Sequence, residues 1–341
     1  HLSQRRHHLQ LREEIGLTGP PASFLSGNLS HLLDVIKTEG LEATPYIYPA
    51  LEKIYGSTFG FYFGSNLEIV TTDPAIIKEV FISQFSNFVA RKKVAINMVY
   101  PFVDGLLQVD HVGTKGAGWK EMRSVISSIF TSGKMKKMHL MFHDQLDNLI
   151  DEMKTKARTN GGMMDIYAEY QAITMDMIAR CALGQNISCI KVRRSRKETG
   201  QNEGAGGGKS EFPNQEALNN EKFLQIRPLP DLIDLILAEN EKRVENGEKP
   251  LHHDIVVSNA WALFFAGYET TSTALAFASY LLAKHPEVQQ TLYEEVTGAF
   301  EDDEAIDYER VMKLPYLHAV FSETLRVYPP VVTFTGRRCI K

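Results

Sequence analysis

Cysteine is scarce in this 341-residue sequence, which contains only Cys181, Cys189 and Cys339. Their positions give neither the paired spacing of a zinc site nor the dense framework of a disulfide-stabilised secreted domain. Such sparse cysteine usage is compatible with a reducing compartment. The sequence therefore indicates neither a metal-binding module nor a disulfide scaffold.

Long hydrophobic runs are also missing, because no stretch approaches the ~20 apolar residues of a membrane-spanning helix. Neither sign of charge dominates, since 37 Lys and Arg against 42 Asp and Glu give a formal net charge of −5. That balance gives no indication of nucleic-acid binding. With 43% hydrophobic residues, the chain has the composition of a globular protein large enough to bury a substantial core.

The N-terminal stretch begins at His1 rather than methionine and is rich in histidine and arginine as far as Arg12. We interpret residues 1–18 as a solvated linker after a missing membrane anchor, with the basic flank of that anchor as the alternative for the first residues. Gly19-Pro20-Pro21 then opposes helix formation. The folded domain is expected over 19–341.

The predicted fold is mainly α-helical with a small β-sheet near the N-terminus. Residues 57–62 and 67–71 are rich in aromatic and β-branched side chains and flank Gly64-Ser65-Asn66, which predicts a hairpin. Asp73-Pro74 predicts the start of a helix that continues to about Ile82. Further helices are predicted at about 134–156, 164–183, 229–246, 253–284 and 316–328.

The segment 189–215 differs from its surroundings. It carries Arg193-Arg194 and Gly206-Gly207-Gly208 and has almost no apolar residues. Such a composition cannot bury enough surface to fold. We therefore predict an irregular, disordered insert within the domain.

The most distinctive motif is Ala266-Gly267-Tyr268-Glu269-Thr270-Thr271, in the middle of the apolar helix predicted at 253–284. Small residues allow a close approach to the backbone. A mid-helix threonine can hydrogen-bond to the carbonyl of the preceding turn. Glu269 and Thr270 place an acid and a hydroxyl where a proton could be relayed. A helix-packing site with a solvated glutamate explains the same residues equally well.

Two other pairs share a helical face. Glu323 and Arg326 are three residues apart and can form an ion pair, for which an exposed surface pair is the default interpretation. Their apolar neighbours leave a buried pair as the alternative. Trp119 and Arg123 are four residues apart, and both are pure hydrogen-bond donors suited to a carboxylate ligand. A half-buried tryptophan with a stacked arginine is the simpler interpretation of the second pair.

These motifs, taken in order, resemble the cytochrome P-450 family. The order is Trp-x-x-x-Arg, then Ala-Gly-x-Glu-Thr-Thr on a long helix, then Glu-x-x-Arg followed by Pro-Pro. The similar stretches include GPPASFLSGNL, WKEMRSVISSIFTSGKMKKM, FFAGYETTSTALAFASYLLAKHPEVQQTLYEEV and LPYLHAVFSETLRVYPP. Most of 15–188 and 229–341 is covered, and the nearest branch is the microsomal one that oxidises drugs and steroids. The resemblance implies the cytochrome P-450 fold, truncated at its C-terminus.

The resemblance implies catalytic roles for residues of the long helix. Thr270 is expected over the haem, where it helps deliver protons during oxygen activation. Glu269 supports that relay. Ala266 and Gly267 leave room for oxygen and substrate beside the iron.

The resemblance also assigns cofactor-binding and structural residues. Haem propionates are expected to contact four side chains: Trp119, Arg123, Arg91 and Arg337. Glu323 and Arg326 are expected to be structural and to join the helix beneath the haem to a meander that carries another arginine.

The function implied by the resemblance is monooxygenation. An enzyme of this family hydroxylates a small apolar substrate at the iron of haem b, with electrons from an NADPH-cytochrome reductase. The implied location is the cytoplasmic face of the endoplasmic reticulum membrane, whose surface is a further partner. No nucleic-acid partner is implied.

The sequence departs from the family at the iron ligand. The loop Phe-x-x-Gly-x-Arg-x-Cys-x-Gly does not occur, and Cys339 follows the Glu-x-x-Arg helix too soon to replace it. We expect the axial cysteine beyond Lys341, no metal ligand within the chain, and an inactive chain that does not retain haem. A non-catalytic fragment or mis-assembled gene product is one alternative, and an unrelated helical scaffold is another.

Overall fold

The computed structural model describes residues 2–91, 100, 102–140, 142–159, 163–184, 189, 232–300, 306–331 and 336–340. The chain forms two compact units, residues 1–90 with 332–341 and residues 91–331. Helices dominate the described residues, and their one sheet has two antiparallel strands. The predicted fold class, mainly α with a small N-terminal sheet, is confirmed.

The first unit is built around the predicted hairpin. Its elements are α1 (Leu2–Glu14), α2 (Leu29–Glu39), a 3₁₀ turn (Leu41–Tyr46), α3 (Ile47–Tyr55), β1 (Thr58–Phe63), β2 (Asn66–Thr71) and α4 (Pro74–Lys78). The strands pair in the register Phe59 with Val70 and Phe61 with Glu68. Phe59 and Phe61 pack with Ile47 of α3 to form a buried cluster. The hairpin prediction is confirmed.

The helix after the hairpin begins where the sequence predicts. The Asp73 carboxylate accepts a hydrogen bond from the Ala75 backbone N–H at 2.8 Å, and Pro74 is the first helical residue. An N-cap acceptor followed by proline satisfies the free N–H groups at a helix start without losing a backbone bond. The helix continues as one wider turn from Glu79 to Ser83.

The stretch interpreted as a linker contains helix α1 instead. Arg5 donates to the Phe24 and Gly64 carbonyls at 2.7 and 2.9 Å. The Tyr62 hydroxyl donates to the His8 carbonyl at 2.8 Å. The basic residues that suggested a solvated segment therefore attach the helix to the hairpin.

The second unit contains the long helices. They are α5 (Trp119–Ser127), α6 (Ser132–Leu140), α7 (His143–Thr159), α8 (Ile166–Leu183), α9 (Leu232–Glu245), α10 (His253–Lys284), α11 (Pro286–Ala299), α12 (Tyr308–Val311) and α13 (Pro315–Val327). α8 ends at Gly184, which adopts the left-handed conformation (φ 60°) that favours glycine. The core of this unit includes Met122 of α5, Ile236 of α9 and Ile255 of α10.

The single helix predicted at 134–156 is wrong in one respect, because two helices cover it. The Phe142 N–H donates to the carbonyl of His139, three residues earlier, which is a tighter turn than an α-helix makes. The His139 ring also contacts the Ile306 carbonyl at 2.7 Å. No glycine or proline in the sequence marks the position of either contact. The predicted insert at 189–215 lies outside the described residues except for Cys189.

None of the described helices combines the length and the hydropathy that a membrane-spanning helix requires.

Candidate functional site

Helix α10 carries the Ala-Gly-x-Glu-Thr-Thr motif and is unbroken from His253 to Lys284. The Thr270 hydroxyl donates to the Ala266 carbonyl at 2.5 Å. This bond to the preceding turn confirms the predicted local geometry. It keeps the hydroxyl against its own helix, and the helix continues through the motif.

The Glu269 carboxylate is held by helix α8. The Tyr167 hydroxyl donates to Glu269 Oε1, and Gln171 Nε2 donates to Oε2 at 3.4 Å. Burial, followed by the hydrogen bond to Glu269, raises the pKa of Tyr167. Glu269 is half-buried, and each of its carboxylate oxygens accepts from a side chain of the neighbouring helix.

Gly267 is a point of close helix packing. A Cβ atom added to this residue would lie 2.6 Å from Cδ1 and 2.9 Å from Cγ1 of Ile178 on α8. The absent side chain therefore makes room for Ile178, as the helix-packing interpretation predicts. A role for Gly267 and Ala266 beside the haem stays a prediction.

Polar contacts add to this interface. The Tyr268 carbonyl accepts from Thr174 Oγ1 at 3.1 Å and from Ser272 Oγ at 3.0 Å. The hydroxyls of Tyr170 and Ser279 are 2.8 Å apart. Since Thr174 and Ser272 are buried, these bonds satisfy polar groups that would otherwise be costly. The contacts hold α8 and α10 in one relative position.

Trp119 and Arg123 lie one turn apart at the start of α5, as the spacing predicts. The Trp119 backbone N–H donates to the Asp110 carbonyl at 3.0 Å. Glu121 accepts from the Gly118 N–H at 2.9 Å and pairs with Arg243 of α9 at 2.8 Å. Trp119 is half-buried and Arg123 is exposed. The helix start is thus fixed while the guanidinium remains accessible to a ligand.

The segment before Trp119 is organised by two buried residues that the sequence analysis missed, Asp104 and Asn259. Asp104 accepts from the Thr114 N–H at 2.7 Å and the Thr114 hydroxyl at 2.5 Å. Asn259 of α10 accepts from the Leu106 N–H at 2.9 Å and donates to the Asp104 carbonyl at 3.3 Å. A polar residue inside the apolar run of α10 was the available signal, and it indicates a buried partner.

The remaining predicted propionate contacts are divided between the two units. Arg91 is half-buried at the start of the second unit. Arg337 belongs to the first unit, where its guanidinium lies 4.5 Å from the centre of the Phe81 ring. Burial lowers the pKa of Arg337. The predicted propionate contacts of both arginines stay predictions.

Glu323 and Arg326 form an exposed bidentate pair. Arg326 donates from Nε and Nη2 to the two Glu323 oxygens at 2.7 and 2.6 Å. The hydrogen bond from Arg326 lowers the pKa of Glu323. The side chains are 58% and 71% exposed for Glu323 and Arg326. The default interpretation, a surface pair, is therefore the one observed, and the proposed link to a meander stays a prediction.

The second unit carries N–H donor side chains that suit the propionate groups of a haem. The indole N–H of Trp119 and the guanidinium of Arg123 suit a propionate. Cys181 packs against the hydrophobic core of this unit, and burial raises the pKa of its thiol to about 11. Cys189 has its N–H bonded to Asp176, and Cys339 is exposed in the other unit. Within the described ranges, no three His, Cys, Asp or Glu side chains converge as a metal site.

Comparison with known proteins identifies the family to which the sequence is similar. The sequence profile described as Cytochrome P450 matches residues 28–201 and 210–341. The chain is similar to cytochrome P450 9e2 of Blattella germanica, with 31% identity over 92% of this chain and 68% of the relative. It is 27% identical to cytochrome P450 3A9 of Rattus norvegicus, over 93% of this chain and 67% of the relative.

A nematode relative gives a similar alignment. The Caenorhabditis elegans protein assigned as cytochrome P450 cyp-13B1 is 29% identical over 96% of this chain and 72% of its own length. The chain spans about two thirds of the relatives that it matches, between 65% and 72%. The motifs on α5, α10 and α13, the mainly helical fold and these matches agree: the chain belongs to the cytochrome P450 family.

Proposed function

We propose that this chain acts as part of a haem-thiolate monooxygenase that hydroxylates a small apolar substrate. The observation that carries the proposal is the neighbouring acid and hydroxyl, Glu269 and Thr270, in the middle of the long helix α10. Glu269 is fixed by Tyr167 and Gln171. A polar pair held in an apolar wall is what proton delivery into a dry pocket requires.

The cofactor supplies the oxidation when it is bound, since a thiolate-ligated haem activates oxygen and the protein provides binding and orientation. In our proposal the cofactor is haem b. Trp119 and Arg123 would hold its propionates, because both side chains are donors on one face of α5.

In this proposal, Thr270 and Glu269 would deliver protons to the reaction site. The Thr270 hydroxyl donates to the Ala266 carbonyl at 2.5 Å. Its oxygen can accept a proton while its own hydrogen is passed on, provided that the side chain first turns away from that carbonyl. Glu269, on the adjacent position, supplies the acid.

The apolar character of the substrate is supported by a row of aromatic rings along α10 and the loop before α5. The Phe102 and Trp261 ring centres are 6.2 Å apart, those of Trp261 and Phe264 are 6.3 Å apart, and those of Phe264 and Tyr268 are 6.1 Å apart. Such rings offer large apolar surfaces. The proposed substrate is therefore bound mainly by shape and apolar contact.

The proposed partners and location rest on family membership. Electrons would come from an NADPH-cytochrome reductase. The proposed location is the cytoplasmic face of the endoplasmic reticulum membrane, with the membrane surface as a contact.

Replacement of Thr270 with alanine tests the proton role. In the haem-loaded full-length gene product with its reductase, we expect turnover to fall by at least about tenfold, because general acid catalysis at one residue contributes at least that much. Product formation per electron consumed should be measured. The matched control is Thr271→Ala, since Thr271 is the adjacent and exposed hydroxyl. Equal turnover in the two variants would contradict the proposal.

A second test concerns the 341 residues by themselves. We propose that they do not bind haem with thiolate ligation, because none of Cys181, Cys189 and Cys339 lies in the family's haem-binding loop. Haem titration followed by reduction and carbon monoxide should give no difference band typical of thiolate ligation. The appearance of that band, and its loss on Cys339→Ser, would overturn this prediction and identify Cys339 as the ligand.

A further inference from the structure

Two side chains of α8 donate to the Glu269 carboxylate, and they differ in strength. Tyr167 and Gln171 are four residues apart, so they lie on one face of α8. The Tyr167 hydroxyl donates to Oε1, and Gln171 Nε2 donates to Oε2 at 3.4 Å. The second distance is longer than that of a typical hydrogen bond, whereas a hydroxyl bonded to a carboxylate is a strong, charge-assisted donor. Tyr167 is therefore the main group that holds the glutamate.

The position of the Tyr167 hydroxyl is set by contacts that do not involve Glu269. Thr174 of α8 donates to the Tyr268 carbonyl of α10 at 3.1 Å. Gly267 packs closely against Ile178, since an added Cβ atom would lie 2.6 Å from its Cδ1. These contacts fix α8 against α10 over several turns. The helix packing therefore presents the Tyr167 donor to α10 in advance, and the glutamate adapts to it.

The neighbouring hydroxyl does not set the orientation of the acid. Consecutive residues of an α-helix point about 100° apart, so Glu269 and Thr270 leave α10 in different directions. The Thr270 hydroxyl donates to the Ala266 carbonyl of its own helix at 2.5 Å. A glutamate side chain has several staggered rotamers. The donor on α8 therefore selects the rotamer of Glu269.

We propose that Tyr167 is a positioning residue for proton delivery, whose hydroxyl keeps the Glu269 carboxyl in one rotamer beside Thr270. This inference rests on the proposed function, because it requires Glu269 to supply protons. Proton transfer needs its donor and acceptor within hydrogen-bond reach, and a carboxyl distributed over several rotamers spends less time there. Burial, followed by the hydrogen bond to Glu269, raises the pKa of Tyr167, so its hydroxyl stays a donor.

The contact can be tested without haem, by ¹³C NMR of the tyrosine ring carbons in the 341-residue chain. Tyr167→Phe identifies the signal of Tyr167. Glu269→Gln is expected to lower the pKa of Tyr167, because it removes the negative charge and the stronger acceptor. An unchanged titration of Tyr167 in the Glu269→Gln variant would overturn the proposal.

The role of the contact is tested in the haem-loaded full-length gene product with its reductase. Tyr167→Phe is expected to lower kcat by about tenfold, since misplacing a reacting group by about 1 Å can cost roughly a hundredfold. KM should stay unchanged, because the lost interaction does not involve the substrate. The solvent isotope effect on kcat should rise, because proton delivery becomes the slower step.

The matched control is Tyr170→Phe. The Tyr170 hydroxyl lies 2.8 Å from Ser279 Oγ, so this substitution removes a tyrosine hydroxyl from the same pair of helices without touching Glu269. The solvent isotope effect should not change in this variant. Circular dichroism checks that both variants fold. Equal kcat values and equal isotope effects in Tyr167→Phe and Tyr170→Phe would mean that Tyr167 only packs, and would overturn the proposal.

A double variant separates this inference from the proposed function. Addition of Tyr167→Phe to Glu269→Gln should lower kcat no further, because residues that act through one another are not additive. If Glu269→Gln lowers kcat and Tyr167→Phe does not, the positioning role is wrong and the proposed function holds. If Glu269→Gln and Thr270→Ala both leave kcat unchanged, the proposed proton delivery is wrong and the positioning role fails with it.

Discussion

Replacement of Lys156 with methionine is expected to lower the free energy of unfolding by about 3–5 kcal/mol, which is the usual cost of removing one partner from a buried ion pair. Lys156 of α7 contacts Glu169 of α8 at 2.5 Å and Glu152 of its own helix at 3.2 Å. The side chains are only 12%, 7% and 13% exposed for Lys156, Glu169 and Glu152. The substitution therefore leaves two carboxylates with little access to water and without their shared cation.

The midpoint and slope of urea unfolding, followed by circular dichroism, measure this effect. The control is Lys154→Met on the same helix, where the lysine is exposed and a change within about 0.5 kcal/mol is expected. Addition of Glu169→Gln to Lys156→Met should restore part of the loss, because it removes one uncompensated charge. If Lys156→Met and Lys154→Met unfold at the same urea concentration, the buried ion pair does not stabilise the protein.

Replacement of Asn259 with leucine is expected to cost about 2–4 kcal/mol, since each buried polar group left without a partner costs roughly 1–3 kcal/mol. Asn259 is fully buried. Its amide accepts from the Leu106 N–H and donates to the carbonyls of Asp104 and Ile255, at 2.9, 3.3 and 2.8 Å. Leucine has a similar size but satisfies none of these groups.

The loss should be concentrated in the loop before Trp119, because Leu106 and Asp104 belong to it. Urea unfolding gives the total change, and limited proteolysis between Gly105 and Gly118 reports the loop. The control is Asn246→Leu, at an exposed position just after α9. Equal unfolding midpoints and equal cleavage rates in the two variants would show that the Asn259 bonds do not hold the loop.

Both substitutions remove contacts of the helices α8 and α10, which carry the candidate site. Glu169 lies on α8, the helix from which Tyr167 and Gln171 hold Glu269. Asn259 lies on α10 and fixes the segment that leads into Trp119. A fixed supporting shell is what gives a site its geometry. Weakened haem retention is therefore expected in the full-length product of the Asn259→Leu variant.

The elements that could be predicted are those whose causes are local. The hairpin at 58–71 follows from alternating side chains around a turn, and α4 follows from Asp73-Pro74. The bounds of α10 match the predicted 253–284, because its apolar run ends at His285-Pro286. In each case the residues that form the element are neighbours in the sequence.

The predictions are wrong where contacts between residues far apart in the sequence determine the structure. The break between α6 and α7 has no local breaker and involves a contact between His139 and the Ile306 carbonyl. The first residues form α1 because Arg5 and His8 meet the hairpin, some fifty residues later. For Glu323 and Arg326 the spacing alone left the choice open, since an exposed and a buried pair have the same sequence pattern, and the default interpretation of an exposed pair is the one observed.

The sequence by itself determined the family, most helix boundaries and the residue types of the candidate site. Motifs and hydrophobic periodicity involve residues that are close together in the chain, so they can be recognised without the tertiary structure. The tertiary structure alone decided that Glu269 is held by Tyr167 and Gln171, that Gly267 makes room for Ile178, and that Asn259 supports the loop before Trp119. These partners are separated by about ninety to one hundred and fifty residues. Contacts over such separations depend on how helices pack, which short-range patterns do not specify.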